Sequence, residues 1–195
     1  MIDKIPVRAL RINYVGELGW ELHHPIGEME NLYDLIMKTG KKYEILNFGT
    51  YAVNSLRIEK AYKGWGSELT GEISLVESNM KRFYDLDKKD NFIGAKAIKE
   101  ILKGNIDIKI VYLEIDINKG DALGNEPVYH NGKIIGVTTS GGYGFRVDKS
   151  LAFAYVKAEL ADINNQFDVQ ILGELRKAIV IKDIVYDPQN LRLKS

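Results

Sequence analysis

The stretch PVYHNGKIIGVTTS, Pro127 to Ser140, decides how the chain reads. Asn131-Gly132 lies between two short apolar-rich runs. A two-residue turn there needs positive φ at both positions, which Asn and Gly tolerate best, so the pair predicts a hairpin. Outward from it, IKIVYLEID, LAFAYVKA, FDVQIL and LRKAIVIKDIVY are further strand-like runs, and helical spacing stops after about residue 105. Short strands at this density predict a small antiparallel barrel or a sandwich. The glycine-rich SGGYGF, Ser140 to Phe145, has no helix after it and no Walker lysine. It reads as a flexible or bulged connection between strands rather than a phosphate cradle.

Upstream the pattern changes. VRALRIN, Val7 to Asn13, alternates apolar and polar residues as a half-buried strand does. Gly16 and Gly19 punctuate, and WELHHP resumes an extended segment that Pro25 ends. In GEMENLYDLIMKTG, Met29, Leu32, Tyr33, Ile36 and Met37 recur at helical spacing, with Gly40 placed as a C-terminal cap. TYAVNSLRIEK predicts a second helix, with Ala52, Leu56 and Glu59 on one face and Val53 and Arg57 on the next. NMKRFYDLD predicts a strand, and GAKAIKEILKG a short helix closed by Gly104. The expected organisation is therefore an α+β segment over 1–104 followed by an all-β segment over 105–195.

Composition excludes several function classes. The 27 basic and 27 acidic side chains cancel, which gives no electrostatic reason to expect nucleic acid or an anionic membrane as partner. There is no cysteine, so disulfides, thiolate metal sites and cysteine nucleophiles are out. No apolar run approaches the roughly 20 residues of a membrane span, and MIDKIPVRAL lacks the apolar centre of a signal peptide, so the cytoplasm is the default expectation. His23 and His24 are adjacent, and strand neighbours point to opposite faces, so they do not make a metal site together.

Two residues carry chemistry on either of two readings. If Trp20 and Leu22 face a core, Glu21 faces the other side and could accept two parallel hydrogen bonds from the N–H/NH2 edge of a heterocycle such as a pterin or guanine. By position alone the solvated strand glutamate, the commonest case, leads. Tyr14, across the Gly16–Gly19 turn, could line the same cavity. Arg57, late in its helix, is either an ion-pair partner or a clamp for a ligand carboxylate.

Taken together, NYVGELGWELHHP, FGTYAVNSLRIEKAYKGWGSEL, NFIGAKAI, VTTSGGYGF and KSLAFAYV resemble the aminomethyltransferase family, that of the glycine-cleavage T-protein. In detail they look like the folate-binding C-terminal region of dimethylglycine and sarcosine dehydrogenases. The family's Y-x-G-E-x-G-x-E, L-R-x-E, D-F-I-G and T-S-G patterns read here as Tyr14 to Glu21, Leu56 to Glu59, Asn91 to Gly94 and Thr139 to Gly141.

The resemblance implies the C-terminal part of a folate-binding domain followed by a small antiparallel β-barrel. It implies a tetrahydrofolate-dependent one-carbon transfer module, with Glu21 holding the pterin, Tyr14 lining the cavity and Arg57 as a further folate-site residue. The product implied is 5,10-methylenetetrahydrofolate from an N-methyl amine donor. Two departures matter. Val53 stands where the T-protein has an arginine. Nothing corresponds to the family's N-terminal half with its catalytic aspartate, so no residue here is given a catalytic role. The implied partners are folate and either a chain supplying that missing half or a flavin-dependent amine dehydrogenase. The alternative is a non-enzymatic folate-binding, subunit-interaction or assembly protein. The assembly relatives carry K-G-C-Y-x-G-Q-E, and this chain has Trp65 in place of the cysteine.

Overall fold

A computed structural model describes residues 1–88, 92–118 and 120–195. Two short strands, β1 (Arg8–Leu10) and β2 (Glu21–His23), pair antiparallel with Leu10 opposite Glu21. Helices α1 (Met29–Gly40), α2 (Thr50–Glu59) and α3 (Ala95–Lys103) follow. Six strands come next: β3 (Ile108–Ile115), β4 (Pro127–His130), β5 (Lys133–Gly144), β6 (Lys149–Lys157), β7 (Gln166–Ile171) and β8 (Glu174–Ile181). They close an antiparallel barrel in the order β3-β6-β5-β4-β7-β8. A final turn of helix, α4, spans Leu191–Lys194.

The barrel rather than the sandwich is realised because β3 pairs both with β6 and with β8, leaving no free edge. Its interior takes every second residue: Val111 and Leu113 from β3, Ala152 and Ala154 from β6, Phe167 and Val169 from β7, Ala178 and Val180 from β8. Two strands are buried on the outer face as well. Ile110 and Tyr112 of β3 and Leu151, Phe153 and Tyr155 of β6 form a second cluster with Ile58 and Ala61, at and just beyond the end of α2. That double burial explains why IKIVYLEI and LAFAYV are near-continuous apolar runs, whereas FDVQI alternates. The Tyr112 hydroxyl donates to the Ile58 carbonyl at 2.6 Å, fastening α2 to the barrel wall.

Asn131 and Gly132 both have positive φ, 51° and 75°, as their hairpin requires. SGGYGF is not a connection: Ser140 to Gly144 belong to β5, whose register shifts by a bulge between Thr138 and Ser140. Glycine is needed at 141 because a Cβ there would lie 2.3 Å from the Ala122 carbonyl oxygen.

Several local expectations are corrected. NMKRFYDLD forms no strand; Lys81–Phe83 is a turn of 3-10 helix, and Phe83 is exposed, so its alternation has no neighbouring strand to serve. Gly40 does not cap α1, since its φ of −74° stays helical, a 3-10 turn continues over Lys41–Tyr43, and Glu44 takes the left-handed position. The opening strands are three residues each, shorter than the alternation suggested. Trp20 is 56% exposed and packs no core. Gly104 does close α3, its N–H reaching the Glu100 and Ile101 carbonyls. Asn91, which opens the NFIG stretch, lies outside the described residues.

Candidate functional site

The turn between β1 and β2 is built by Asn13. Its Oδ1 accepts from the N–H groups of Val15 and Gly16 at 3.0 and 2.8 Å, and its Nδ2 donates to the Glu17 carbonyl at 2.6 Å. Both glycines have steric reasons. Gly16 has a φ of +74°, with the Lys60 side chain 2.9 Å from where a Cβ would stand, and a Cβ at Gly19 would meet Asn13 at 2.7 Å. The turn thereby presents Tyr14 at one end and Glu21 at the other.

Tyr14 stacks on Tyr62, with ring centroids 5.9 Å apart and an interplanar angle of 19°. Burial raises the pKa of both phenols, so they remain protonated donors at neutral pH. Beside them opens a cavity of about 560 Å³, lined by Tyr14, Tyr62, Lys63, Arg82 and Phe83 among others. Glu21 lies on β2 with its side chain about half exposed; its Oε2 stands 3.4 Å from the His23 Nε2. It does not line that cavity.

Arg57 is buried, and each of its three guanidinium nitrogens donates a hydrogen bond. Nε and Nη2 donate to Asn54 Oδ1 at 2.9 and 2.7 Å, and Nη1 donates to the Tyr62 carbonyl at 3.0 Å and to Glu68 Oε2 at 3.1 Å. Glu68 has no exposed surface and gathers further donors: the Gly64 N–H at 2.7 Å, Ser67 Oγ at 3.0 Å, Thr139 Oγ1 at 2.7 Å and Ser140 Oγ at 2.5 Å. Burial pushes its carboxyl pKa up. The hydrogen bonds from Ser140, Gly64 and Thr139 and the Arg57 charge outweigh that and hold it below the usual carboxylate range. Consecutive residues of a regular strand point to opposite faces. The β5 bulge breaks that rule and brings Thr139 and Ser140 to the same carboxylate oxygen.

The structure thus brings Tyr14 and Arg57 into one neighbourhood. A Cβ on Gly64 would stand 3.4 Å from the Tyr14 hydroxyl and 3.5 Å from Glu68 Oε2. Glu21 stands apart, tied to Tyr14 only through the turn. Sequence reasoning did not single out Glu68: Gly64 and Ser67 are local, but Arg57, Thr139 and Ser140, which tie it to α2 and the barrel, lie 11, 71 and 72 residues away. Glu17, although inside the quoted G-E-x-G pattern, was not singled out either.

Comparison with known proteins agrees with this architecture. Residues 1–88 match the GCVT N-terminal domain, and residues 109–187 match the glycine cleavage T-protein C-terminal barrel domain. The human mitochondrial dimethylglycine dehydrogenase is 41% identical over the whole of this chain, which covers 23% of that protein. An aminomethyltransferase of Shouchella clausii is 31% identical over 95% of the chain, which spans 50% of it. The solved glycine cleavage system aminomethyltransferase T of Bartonella henselae superposes with a TM-score of 0.81 over 92% of the chain and 49% of its own length, at 24% identity, which speaks to fold alone. The chain therefore spans between about a quarter and a half of these relatives. The cytoplasmic expectation is corrected: the dimethylglycine dehydrogenases of human, rat and mouse that match the full chain are mitochondrial proteins, although bacterial relatives also match. With both domain types present in order on one chain, and with relatives of both kinds matching it nearly end to end, the protein belongs to the aminomethyltransferase family, that of the glycine-cleavage T-protein.

Proposed function

We propose that this chain is a tetrahydrofolate-dependent one-carbon transfer module of a dimethylglycine or sarcosine dehydrogenase-like enzyme. Residues 1–104 would contribute part of the folate-binding domain and 105–195 the barrel. The observation that carries the reading is Glu21. It is an exposed carboxylate on a short strand, and neither oxygen is engaged by a main-chain N–H, lysine or arginine among the described residues. A carboxylate in that condition is free to accept a paired N–H/NH2 edge, the donor set that a pterin offers.

Tyr14 supports the same reading, as a half-buried ring beside a cavity with its hydroxyl still a donor. Arg57 gives four of its five N–H groups to Asn54, Tyr62 and Glu68, so its main part is to hold the Tyr62–Glu68 segment behind Tyr14. Bound tetrahydrofolate would supply the nitrogens that take up a one-carbon unit from an N-methyl amine. This chain's residues bind and orient it, and none is assigned proton transfer. The relatives are two to four times longer than the matched stretch, and β1 and β2 are exposed. Both facts support a further segment or partner chain completing the cavity, with a flavin-dependent amine dehydrogenase as the source of the one-carbon unit.

The test is an anaerobic calorimetric titration of the chain with tetrahydrofolate beside Glu21→Ala. Saturable binding that weakens about tenfold or more in the variant is expected, the scale of losing hydrogen bonds to a charged group. Equal binding by both proteins would remove Glu21 from the site. Absence of binding by both would favour the subunit-interaction alternative.

A further inference from the structure

Arg146 lies in the β5–β6 hairpin, far in sequence from the folate-site turn, yet its side chain ends at that turn. Its main-chain N–H donates to Glu59 Oε1 at 2.7 Å, and its Nε donates to Glu59 Oε2. Nη1 donates to Glu17 Oε1 at 2.5 Å, and Nη2 to the carbonyls of Leu56 at 3.2 Å and Val15 at 3.4 Å. The guanidinium lies 3.6 Å from the centre of the Tyr186 ring, and the Tyr186 hydroxyl returns to the same Glu17 oxygen at 2.5 Å. One planar group therefore joins four pieces of the fold: the end of α2, the Tyr14–Glu21 turn, the segment after β8 and the barrel hairpin. Glu59 is completely buried, so its charge needs this cation. Glu17 is partly exposed, and its salt bridge to Arg146 is the part of the junction that belongs to the turn.

We infer that Arg146 is a positioning residue: acting through Glu17 and the Val15 carbonyl, it fixes the Tyr14–Glu21 turn against the barrel and so sets where the folate contacts stand. Its consequence for folate rests on the function proposed above; the fixing of the turn does not. Lysine cannot substitute, because one compact ammonium cannot reach Glu59, Glu17 and two carbonyls from a single point, whereas the guanidinium fork does so with fixed geometry.

The experiment uses the full chain, unchanged and as Glu17→Gln, Arg146→Lys and Glu21→Ala, with three readouts: hydrogen exchange of the ligand-free protein, thermal midpoint, and tetrahydrofolate titration. Glu17→Gln leaves the Arg146–Glu59 pair intact. It should raise amide exchange over residues 13–21 about tenfold, leave barrel amides unchanged, and weaken tetrahydrofolate binding about tenfold. Arg146→Lys keeps a positive charge beside Glu59. It should hold the thermal midpoint near that of the unchanged chain yet show the same loosened turn and weaker binding; restoration of turn and binding along with stability would mean that charge compensation is the whole role and would overturn the inference. Unaltered exchange and affinity in both variants, in a protein that Glu21→Ala still weakens, overturns the inference and leaves the folate reading standing. A loosened turn in protein that binds no tetrahydrofolate in any form supports the positioning and removes the folate reading.

Discussion

The β3–β6 wall and the β1–β2 hairpin are both antiparallel β-structure, and they stand at opposite ends of burial. Leu113, Ala152, Ala154 and Val156 are fully enclosed inside the barrel, while Phe153 and Tyr112 are enclosed on its outer face by Ile58 and Ala61. The hairpin contributes three pairs of residues, buries none of them, and leaves Leu10 and Trp20 in contact with solvent. A sheet buried on both faces is held by packing, and its side chains are committed. A hairpin exposed on both faces is held by a local turn and by ties at its base, so its side chains are free to meet something else. Packing is thus concentrated in one of these regions, and exposed side chains in the other.

The contrast can be broken most forcefully at Phe153. Phe153→Ala empties the space between wall and α2 and should cost about 3–5 kcal/mol, read as a shifted midpoint in denaturant unfolding. A loss under about 1 kcal/mol would mean that the outer face of the wall is not a core. Acid sharpens the comparison less violently. Glu68 has a folded-state pKa below its unfolded value of about 4.3, so its contribution is complete above that pH and is lost as pH falls through the lower folded value. Unfolding free energy measured from pH 6 down to pH 2 should therefore decline at the acid end, and Glu68→Gln should flatten that limb. An unchanged slope in the variant would remove Glu68 as its source. The smallest effect belongs to the hairpin: Glu21→Ala should change stability by no more than about 0.5 kcal/mol. A larger loss would make Glu21 a structural residue and weaken its case as a ligand contact.

The barrel was legible where local chemistry and global fold agree. Asn131-Gly132 announced its hairpin, and the continuous apolar runs at 108–115 and 151–156 announced buried strands, although periodicity alone could not tell barrel from sandwich because closure depends on β3 finding β8. Gly40 misled because a glycine at a helix end is a cap only when the following residues leave the helix, and here they tighten into a 3-10 turn instead. The candidate site was half legible. Tyr14 and Glu21 stand within one turn, and the pattern that names them is local. The residues that hold them are not: Arg57 meets Glu68, Glu68 meets Thr139 and Ser140, and Glu17 meets Arg146, each across a sequence separation that no periodicity spans. Arg57, which sequence reading left between clamp and ion-pair partner, gives four of its five N–H groups to partners inside the protein, Glu68 among them. The T-S-G and L-R-x-E stretches serve largely to join the helical part to the barrel.

Barrel closure has a consequence in time. Strand β3 is made first among the six, and the partner that seals it, β8, is made last; Tyr112 waits for Ile181. Until then the nascent barrel is an open sheet with two hungry margins, and pairings between chain positions so distant form slowly. Tyr112 can meanwhile reach back to the Ile58 carbonyl on α2, which has already left the ribosome. The hydroxyl that joins α2 to the finished barrel is thus a tie that β3 can make before its closing strand exists.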